Sequence, residues 1–71
     1  MNLSKAKVGE EYLIDRIESL DEELDAFLFS LGCYAGEPVT VISRRRATMT
    51  IAIKDGRYCI DRRLADVIFL K

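Results

Sequence analysis

Few residues in this chain could do chemistry, and none of them is spaced for catalysis. The 71 residues include two cysteines, Cys33 and Cys59, and no histidine. A cysteine or serine nucleophile needs an adjacent base, most often histidine, so neither a dyad nor a triad can be built. The glycines are isolated and lack the spacing of a phosphate-binding loop. The sequence therefore predicts a protein that is not an enzyme and that does not itself bind or hydrolyse GTP.

The same residues offer little to a metal ion or a cofactor. Two distant cysteines without histidine supply at most half of a tetrahedral ligand set. Several carboxylates between positions 18 and 25 could hold a hard cation, but the first turn of a helix attracts such residues on its own. We therefore predict no cofactor and no metal ligand. Cys59 is expected to pack inside a strand opposite Ala52, and Cys33, after a helix, is expected to be partly exposed.

Two groups of side chains are better suited to contacting a partner. Three aromatic residues fall where a helix, a corner and a strand would turn them away from the core, and clustered exposed apolar residues indicate an interface. Three consecutive arginines follow a strand and could steer the protein to a charged surface. The alternatives are a satellite core for the aromatics and simple solubility for the arginines. The predicted partner-binding residues are Phe29, Tyr34, Phe69, Arg44, Arg45 and Arg46.

Composition and charge narrow the function classes. With 49% hydrophobic and 32% charged residues, the chain predicts one globular domain over residues 1–71. A net charge of -1 argues against a general nucleic-acid binder, which normally has a basic excess. No apolar run approaches the ~18 residues needed to span a bilayer, and the start lacks the apolar core of a signal peptide. We expect a cytoplasmic protein without direct membrane insertion.

One amphipathic helix is expected to position the first aromatic residue. Ser19 and Glu22 have the spacing of a capping box, and Gly32 suits the left-handed position after a helix end. Phe29 lies almost opposite the apolar stripe that this helix would bury. That stripe consists of Leu20, Leu24, Phe27, Leu28 and Leu31.

A β-hairpin over residues 47–61 is expected to form one wall of the core. Asp55-Gly56 between two alternating runs is typical of a type I′ turn, and such a turn predicts that Lys54 lies opposite Arg57. Period-two alternation separates a large apolar face from a small or polar one. The apolar face consists of Met49, Ile51, Ile53, Tyr58 and Ile60.

Further short strands complete the expected fold. A strand over residues 10–18 should bend at Asp15-Arg16, a second strand should begin at Pro38, and a helical turn over residues 62–66 should precede a closing strand over residues 67–70. Short antiparallel strands of this kind bury their edges best when they curl into a barrel. The predicted architecture is a small SH3-like antiparallel β-barrel of about five strands. One α-helix, inserted after the first strand, would plug an open end.

This order of elements, with its local motifs, resembles the FeoA family of ferrous iron transport proteins over nearly the whole chain. The most specific motif is Leu-x-x-Leu-Gly at residues 28–32, followed by Gly36. Residues 39–41 and 51–53 resemble the two central strands of the family. Residues 58–60, then Ala65 and Ile68, resemble its closing strand, short helical turn and final strand. The loop at residues 44–47 departs from the family because it has no Gly-Asp-Pro type segment, and Asp61 stands where a basic residue is usual.

The resemblance implies a function as well as a fold. It implies a cytosolic, non-enzymatic accessory protein that acts on a membrane ferrous iron transporter, through the cytosolic GTP-binding domain of that transporter. The same domain type ends iron- and manganese-dependent repressors, but this chain starts at Met1 with no helix-turn-helix, so a stand-alone accessory is expected. Two alternatives stay open: a metal-responsive regulatory domain of the repressor type, and a small nucleic-acid-binding barrel that uses the arginines and Tyr58. Self-association is also left open.

Overall fold

The computed structural model describes all of residues 1–71 and contains five antiparallel strands in a single sheet. The one helix of more than two turns is inserted after the first strand, as predicted. A short 3₁₀ turn, Leu3–Lys5, precedes the sheet. The elements are β1 (Glu11–Ile17), α1 (Glu22–Leu31), β2 (Pro38–Arg44), β3 (Thr48–Ile53), β4 (Gly56–Asp61), α2 (Arg62–Asp66) and β5 (Ile68–Leu70).

The strands lie in the order β4-β3-β2-β1-β5. Strands β4 and β5 are therefore the two edges, and they are joined through α2 without pairing with each other, so the barrel is not closed by hydrogen bonds. The predicted bend in β1 is confirmed, because its register with β5 shifts between Ile14 and Arg16. A second shift lies in β2 between Val41 and Ser43. One extra residue in each strand increases the local twist and curls the sheet around its core.

The core is built from the inward-facing residues of this curled sheet. Strand β3 alternates strictly, with Met49, Ile51 and Ile53 buried. The predicted apolar face of the hairpin is confirmed, since Ile60 is also buried and Tyr58 packs against the same cluster. Leu3 of the 3₁₀ turn and Ala6 directly after it also join the core, although the sequence pattern did not assign them to it. The remaining buried apolar residues are Ile14, Leu28, Cys33, Val39, Val41, Ala65, Ile68 and Leu70.

The register of the hairpin differs from the prediction. Ile53 lies opposite Gly56, so the turn consists of Lys54 and Asp55, and Lys54 has the positive φ of 53°. A Cβ at Gly56 would collide with the ring of Tyr58, so the glycine is needed inside the sheet to make room for that ring. The predicted pairing of Lys54 with Arg57 was wrong. Each residue's partner shifts by two positions, and because side chains alternate, every residue keeps its predicted face.

The start of α1 also differs from the prediction. Asp21 is the N-cap residue, and its Oδ1 accepts hydrogen bonds from the backbone N–H groups of Glu23 at 3.0 Å and Leu24 at 3.2 Å. The capping box between Ser19 and Glu22 was wrong, because Ser19 Oγ accepts from the backbone N–H of Asp21 at 2.9 Å. The N-cap therefore lies two residues later than predicted, and its carboxylate satisfies two of the free donors at the helix start.

Only the second half of α1 packs deeply on the sheet. Leu28 is 0% exposed, whereas Phe27 is 50% exposed and Leu20, which precedes the helix, is fully exposed. Leu24 and Leu31 are partly buried against the core. The five-residue stripe predicted from helical periodicity was therefore wrong at Leu20 and Phe27, because the late N-cap leaves Leu20 outside the helix and the sheet does not reach Phe27. A single buried leucine anchors α1 to the core.

The short helix α2 forms where a helical turn was predicted. Asp61 is its N-cap, and the side chain accepts a hydrogen bond from the backbone N–H of Leu64 at 3.0 Å. That bond, followed by the neighbouring Arg63, lowers the pKa of Asp61. Ala65 is buried beneath this turn. Neither α1 nor α2 has the length and hydrophobicity that a membrane-spanning helix requires.

Candidate functional site

The candidate site lies where α1 ends and the β3–β4 turn approaches it. Gly32 terminates α1 with φ 99° and ψ 9°, a conformation that side chains rarely adopt and that glycine adopts without strain. The backbone N–H of Cys33 closes the helix end by donating to Leu28 O at 2.9 Å. This reversal brings Tyr34 back against the last turn of the helix. The C-terminal glycine predicted from the sequence is confirmed.

Two aromatic rings meet at this reversal. The ring centroids of Phe29 and Tyr34 are 5.0 Å apart and the rings are inclined by 36°, within the range of favourable aromatic pairs. Phe29 is 65% exposed, and Tyr34 is half-buried. The prediction that Phe29 faces away from the core is confirmed. The structure places two of the three predicted aromatic residues, Phe29 and Tyr34, in one surface.

Lys54 ties the β3–β4 turn to the end of α1. Its stem lies over Gly32, where an added Cβ would be only 2.7 Å from Lys54 Cγ. Its Nζ donates to Glu37 Oε1 at 2.8 Å and lies 4.9 Å from the centroid of the Tyr34 ring, a cation–π distance. The hydrogen bond to Glu37, and then Tyr34, raise the pKa of Lys54 above its ordinary value. A lysine is charged at neutral pH even at its ordinary pKa, and these neighbours favour the charged form further.

Phe29, Tyr34, Lys54 and Tyr58 are called the helix-end patch below. They surround an open groove of about 530 Å³ that Asp55 also lines. The groove offers aromatic surface, one fixed cation and one carboxylate. It contains no nucleophile paired with a base, because the chain has no histidine. Such a surface can bind a side chain of another macromolecule.

The arginine run lies away from the helix-end patch. Residues 44–46 lie around the turn between β2 and β3, whereas Lys54 follows the other end of β3. The six residues of β3 separate the two turns by about 20 Å at ~3.3 Å per residue. Arg44 is further engaged, since its Nη2 donates to the backbone oxygen of Ala6. The structure does not bring Arg44, Arg45 or Arg46 together with Phe29.

Phe69 occupies a third place, in the edge strand β5. It lies opposite Arg16 of β1, and the Arg16 Cζ atom is 4.6 Å from its ring centroid. Asn2 forms an isolated bridge on the other side of Phe69. The ring is half-buried between these neighbours, so it is a less open surface than Phe29. The partner-binding roles of all six predicted residues stay predictions.

Sequence reasoning missed Lys54 and Tyr58 as members of this surface. Lys54 was predicted only as a hairpin residue opposite Arg57, and Tyr58 was assigned to the core face of the hairpin. The two glycines Gly32 and Gly56 were the sequence features that could have indicated these residues. The side chain of Lys54 lies over Gly32, and the ring of Tyr58 lies over Gly56. The incorrect hairpin register concealed that relation.

The two cysteines exchange the environments predicted for them. Cys33 is buried in the core and Cys59 is exposed, so the partial exposure predicted for Cys33 and the packing predicted for Cys59 were both wrong. Cys59 lies opposite Thr50 and not Ala52, on the outer face of the sheet. Cys33 lies directly after the helix end and packs inward beneath it. Burial raises the pKa of the Cys33 thiol to about 11.

We expect the two thiols to react at very different rates. In dilute solution at pH 8, a water-soluble disulfide reagent should modify Cys59 at once and leave Cys33 protected, because only the thiolate reacts and burial disfavours that form. A second equivalent should react when urea unfolds the protein, or as the pH rises toward 11. Absorbance of the thiolate released by the reagent gives the number of thiols that react in the folded and in the unfolded protein. Cys59→Ser should remove the fast phase alone. Two fast thiols in the folded protein would contradict this placement.

The structure contains no cluster of three or more His, Cys, Asp or Glu side chains arranged to hold a metal ion. The acidic residues at the start of α1 are mostly exposed. Asp21 is used as the helix cap. Their arrangement is explained by the helix they begin.

Comparison of the sequence with models of known protein families gives one match. A family model described as the FeoA domain matches residues 1–71, the whole chain. No curated protein matches the sequence. Since the family match has no gap at either end of the chain, the strands, α1 and the helix-end patch all lie inside it.

Solved structures show the same fold at low sequence identity. An iron uptake regulatory protein (FeoA) has a TM-score of 0.90 at 19% identity, over 100% of this chain and 95% of that one. Stenotrophomonas maltophilia FeoA, solved with zinc and described as a prokaryotic SH3 domain protein, has a TM-score of 0.88 at 16% identity, over 100% and 89%. A manganese-dependent transcriptional repressor has a TM-score of 0.90 at 19% identity, over 99% of this chain.

The repressor is a longer protein, and this chain spans 40% of its length. The likeness to the repressor therefore concerns the fold of one part of it. The FeoA structures are matched along almost their full lengths, and they confirm the predicted SH3-like fold class. Together with the family match over residues 1–71, they show that the chain belongs to the FeoA family, the small SH3-like proteins associated with ferrous iron transport.

Proposed function

We propose that this chain is a cytoplasmic, non-enzymatic accessory protein of ferrous iron transport. It docks through the helix-end patch onto the cytosolic GTP-binding domain of the membrane iron transporter. Membership of the FeoA family supports the link to iron transport. The observation that carries the docking surface is the pair formed by exposed Phe29 and half-buried Tyr34 beside an open groove.

The patch has the properties of a binding hot spot. Aromatic residues are enriched in such spots because they bury a large area at a small entropic cost. Here Tyr34 is held by the ring of Phe29 and by Lys54, which is itself fixed by Glu37. A surface that is already ordered loses little conformational entropy on binding. The helix-end patch is therefore preorganised for binding in the free protein.

The charges of the groove indicate what kind of surface it accepts. The ammonium group of Lys54 is shared between Glu37 and the Tyr34 ring, and its side chain is 43% exposed. Asp55 lies beside it in the turn. One cation and one carboxylate at the rim of an aromatic groove suit a partner that inserts an apolar side chain and places polar groups around it. The arginines at residues 44–46 do not line this groove, and their predicted contact with a partner is separate from it.

The test is calorimetric titration of the protein with the isolated GTP-binding domain of its transporter. Phe29→Asp should weaken binding more than tenfold, because it replaces a central aromatic contact with a charge that must be desolvated. Phe27→Asp is the matched control, since Phe27 is 50% exposed on the same helix but does not line the groove. That variant should keep the affinity of the unsubstituted protein.

Two results would contradict the proposal. One is equal loss of affinity for the two variants, which would indicate a nonspecific effect of charge on α1. The other is unchanged affinity for Phe29→Asp while its thermal unfolding stays normal. Because both residues are already exposed, neither substitution should disturb the fold, and circular dichroism confirms this before titration.

A further inference from the structure

The edge strand β4 has a free side that nothing in the structure covers. It pairs only with β3, and no backbone hydrogen bond outside the regular elements uses residues 57–60. The other edge of the sheet is covered, because Asn2 bridges Phe69 of β5 and Leu70 donates to Met1 O at 2.8 Å. An uncovered edge strand is a template for pairing with another strand.

The hairpin determines which groups of β4 face outward. The closing pair of a two-residue turn, Ile53 and Gly56, is hydrogen-bonded, and such pairs alternate with non-hydrogen-bonded ones. The same alternation of hydrogen-bonded and non-hydrogen-bonded pairs continues past the end of β4, where the N–H of Arg62 donates to Ala47 O at 3.1 Å. It follows that the N–H and C=O groups of Arg57 and Cys59 point to the free side. The backbone groups of the residues between them are used by β3.

The sequence of β4 is complementary to itself when it is read in the opposite direction. If Cys59 is placed on a two-fold axis, Arg57 of one copy lies opposite Asp61 of the other, and this happens twice. The Asp61 side chain already caps α2 and contacts Arg63, but it is 39% exposed and leaves room for Arg57 of the second copy. On the other face, Tyr58 lies opposite Ile60, but Ile60 is 1% exposed within its own core, so the charged pairs on the outer face carry the complementarity. A symmetric interface needs such self-complementarity. We propose that two copies of this chain pair antiparallel through β4, centred on Cys59.

The side chains along the edge permit this approach. Arg57 and Cys59 are exposed, and Cys59 is small enough to face its own copy at the axis. The edge has no proline and no bulge in β4, two of the devices that prevent pairing, and its charged residues Arg57 and Asp61 are of opposite sign. The net charge of -1 adds little repulsion between copies. The second copy is therefore the occupant that fits both the charge pattern and the two-fold geometry.

Sedimentation equilibrium of the full chain under reducing conditions tests the proposal. The apparent mass should rise from 8.1 kDa toward twice that value with concentration. Amide hydrogen exchange gives the register, since the Arg57 and Cys59 amides should gain protection as the dimer forms. The Tyr58 and Ile60 amides, already bonded to β3, should change little.

Two variants and two controls make the test specific. Arg57→Glu faces Asp61 of the second copy with a like charge, and Cys59→Lys places two ammonium groups at the axis. Each should raise the dimer dissociation constant at least tenfold. Arg45→Glu makes the same charge change at an exposed turn and should leave the dimer intact. Phe29→Asp should also leave it intact, which separates this proposal from docking at the helix-end patch.

A single 8.1 kDa species at millimolar concentration, with rapid exchange at Cys59, would overturn the proposal. A dimer that survives both Arg57→Glu and Cys59→Lys would overturn it as well, because it would have to form through another surface. Concentration-dependent protection of amides in α1 or β5 alone would also overturn the proposal, because the dimer would then form through those elements.

Discussion

Leu28→Ala should lower the free energy of unfolding by about 2–5 kcal/mol, the usual range for removing a fully buried leucine side chain. Leu28 is 0% exposed and is the one residue of α1 that is completely buried. Its loss removes apolar contacts and leaves a cavity under the helix. A domain of 71 residues has a total stability of roughly 4–11 kcal/mol at ~0.05–0.15 kcal/mol per residue. The substitution therefore removes a large part of the stability.

Urea unfolding followed by circular dichroism measures this effect. Leu20→Ala is the matched control, because periodicity alone placed Leu20 and Leu28 in one buried stripe. Leu20 is fully exposed in the structure, so its replacement should change the free energy of unfolding by less than about 0.5 kcal/mol. Similar losses for the two variants would mean that Leu20 packs on the sheet after all, contrary to the structure.

Gly32→Ala should lower the free energy of unfolding by about 1–3 kcal/mol, the cost of holding a side chain in a strained backbone region. Gly32 has φ +99°, and a Cβ there would lie 2.7 Å from Lys54 Cγ. The stem of Lys54 must then move away, and its contact with Glu37 is disturbed. We expect the Phe29–Tyr34 surface to loosen as well, because Lys54 lies over the Tyr34 ring.

Gly36→Ala separates backbone strain from the contact with Lys54. Gly36 has a similar φ of +88°, but nothing lies within 4 Å of an added Cβ. Gly32→Ala should therefore be more destabilising than Gly36→Ala. In a Lys54→Ala background that difference should disappear, which a double-mutant cycle by urea unfolding detects. If the difference persisted without Lys54, the proposed contact over Gly32 would not be its cause.

Features set by neighbouring residues could be predicted from the sequence. The alternation in β3 fixed the faces of Met49, Ile51 and Ile53, because successive side chains of a strand point to opposite sides. The Leu-Gly end of α1 was predictable, since few residues other than glycine accept the conformation at Gly32. The bend at Asp15-Arg16 appeared as a break in period two. Each of these depends on a few consecutive residues.

Features set by distant contacts could not be predicted in the same way. The hairpin register depends on the ring of Tyr58 lying over Gly56, and local turn chemistry favoured a different pairing. The exposure of Cys33 and Cys59 depends on which strands and helix pass over them, so both were assigned incorrectly. The extent of the buried stripe of α1 depends on how far the sheet extends, which helical periodicity does not contain.

The same distinction between local and long-range determinants applies to the candidate site. The sequence alone determined the fold class, the family resemblance and the outward direction of Phe29, because these follow from local periodicity and the order of elements. Only the tertiary structure decided that Tyr34 and Lys54 join Phe29 while Phe69 and the arginines of residues 44–46 lie elsewhere. The physical reason is that a surface is assembled from chain segments distant in sequence, and their distances are set by the packing of the core between them.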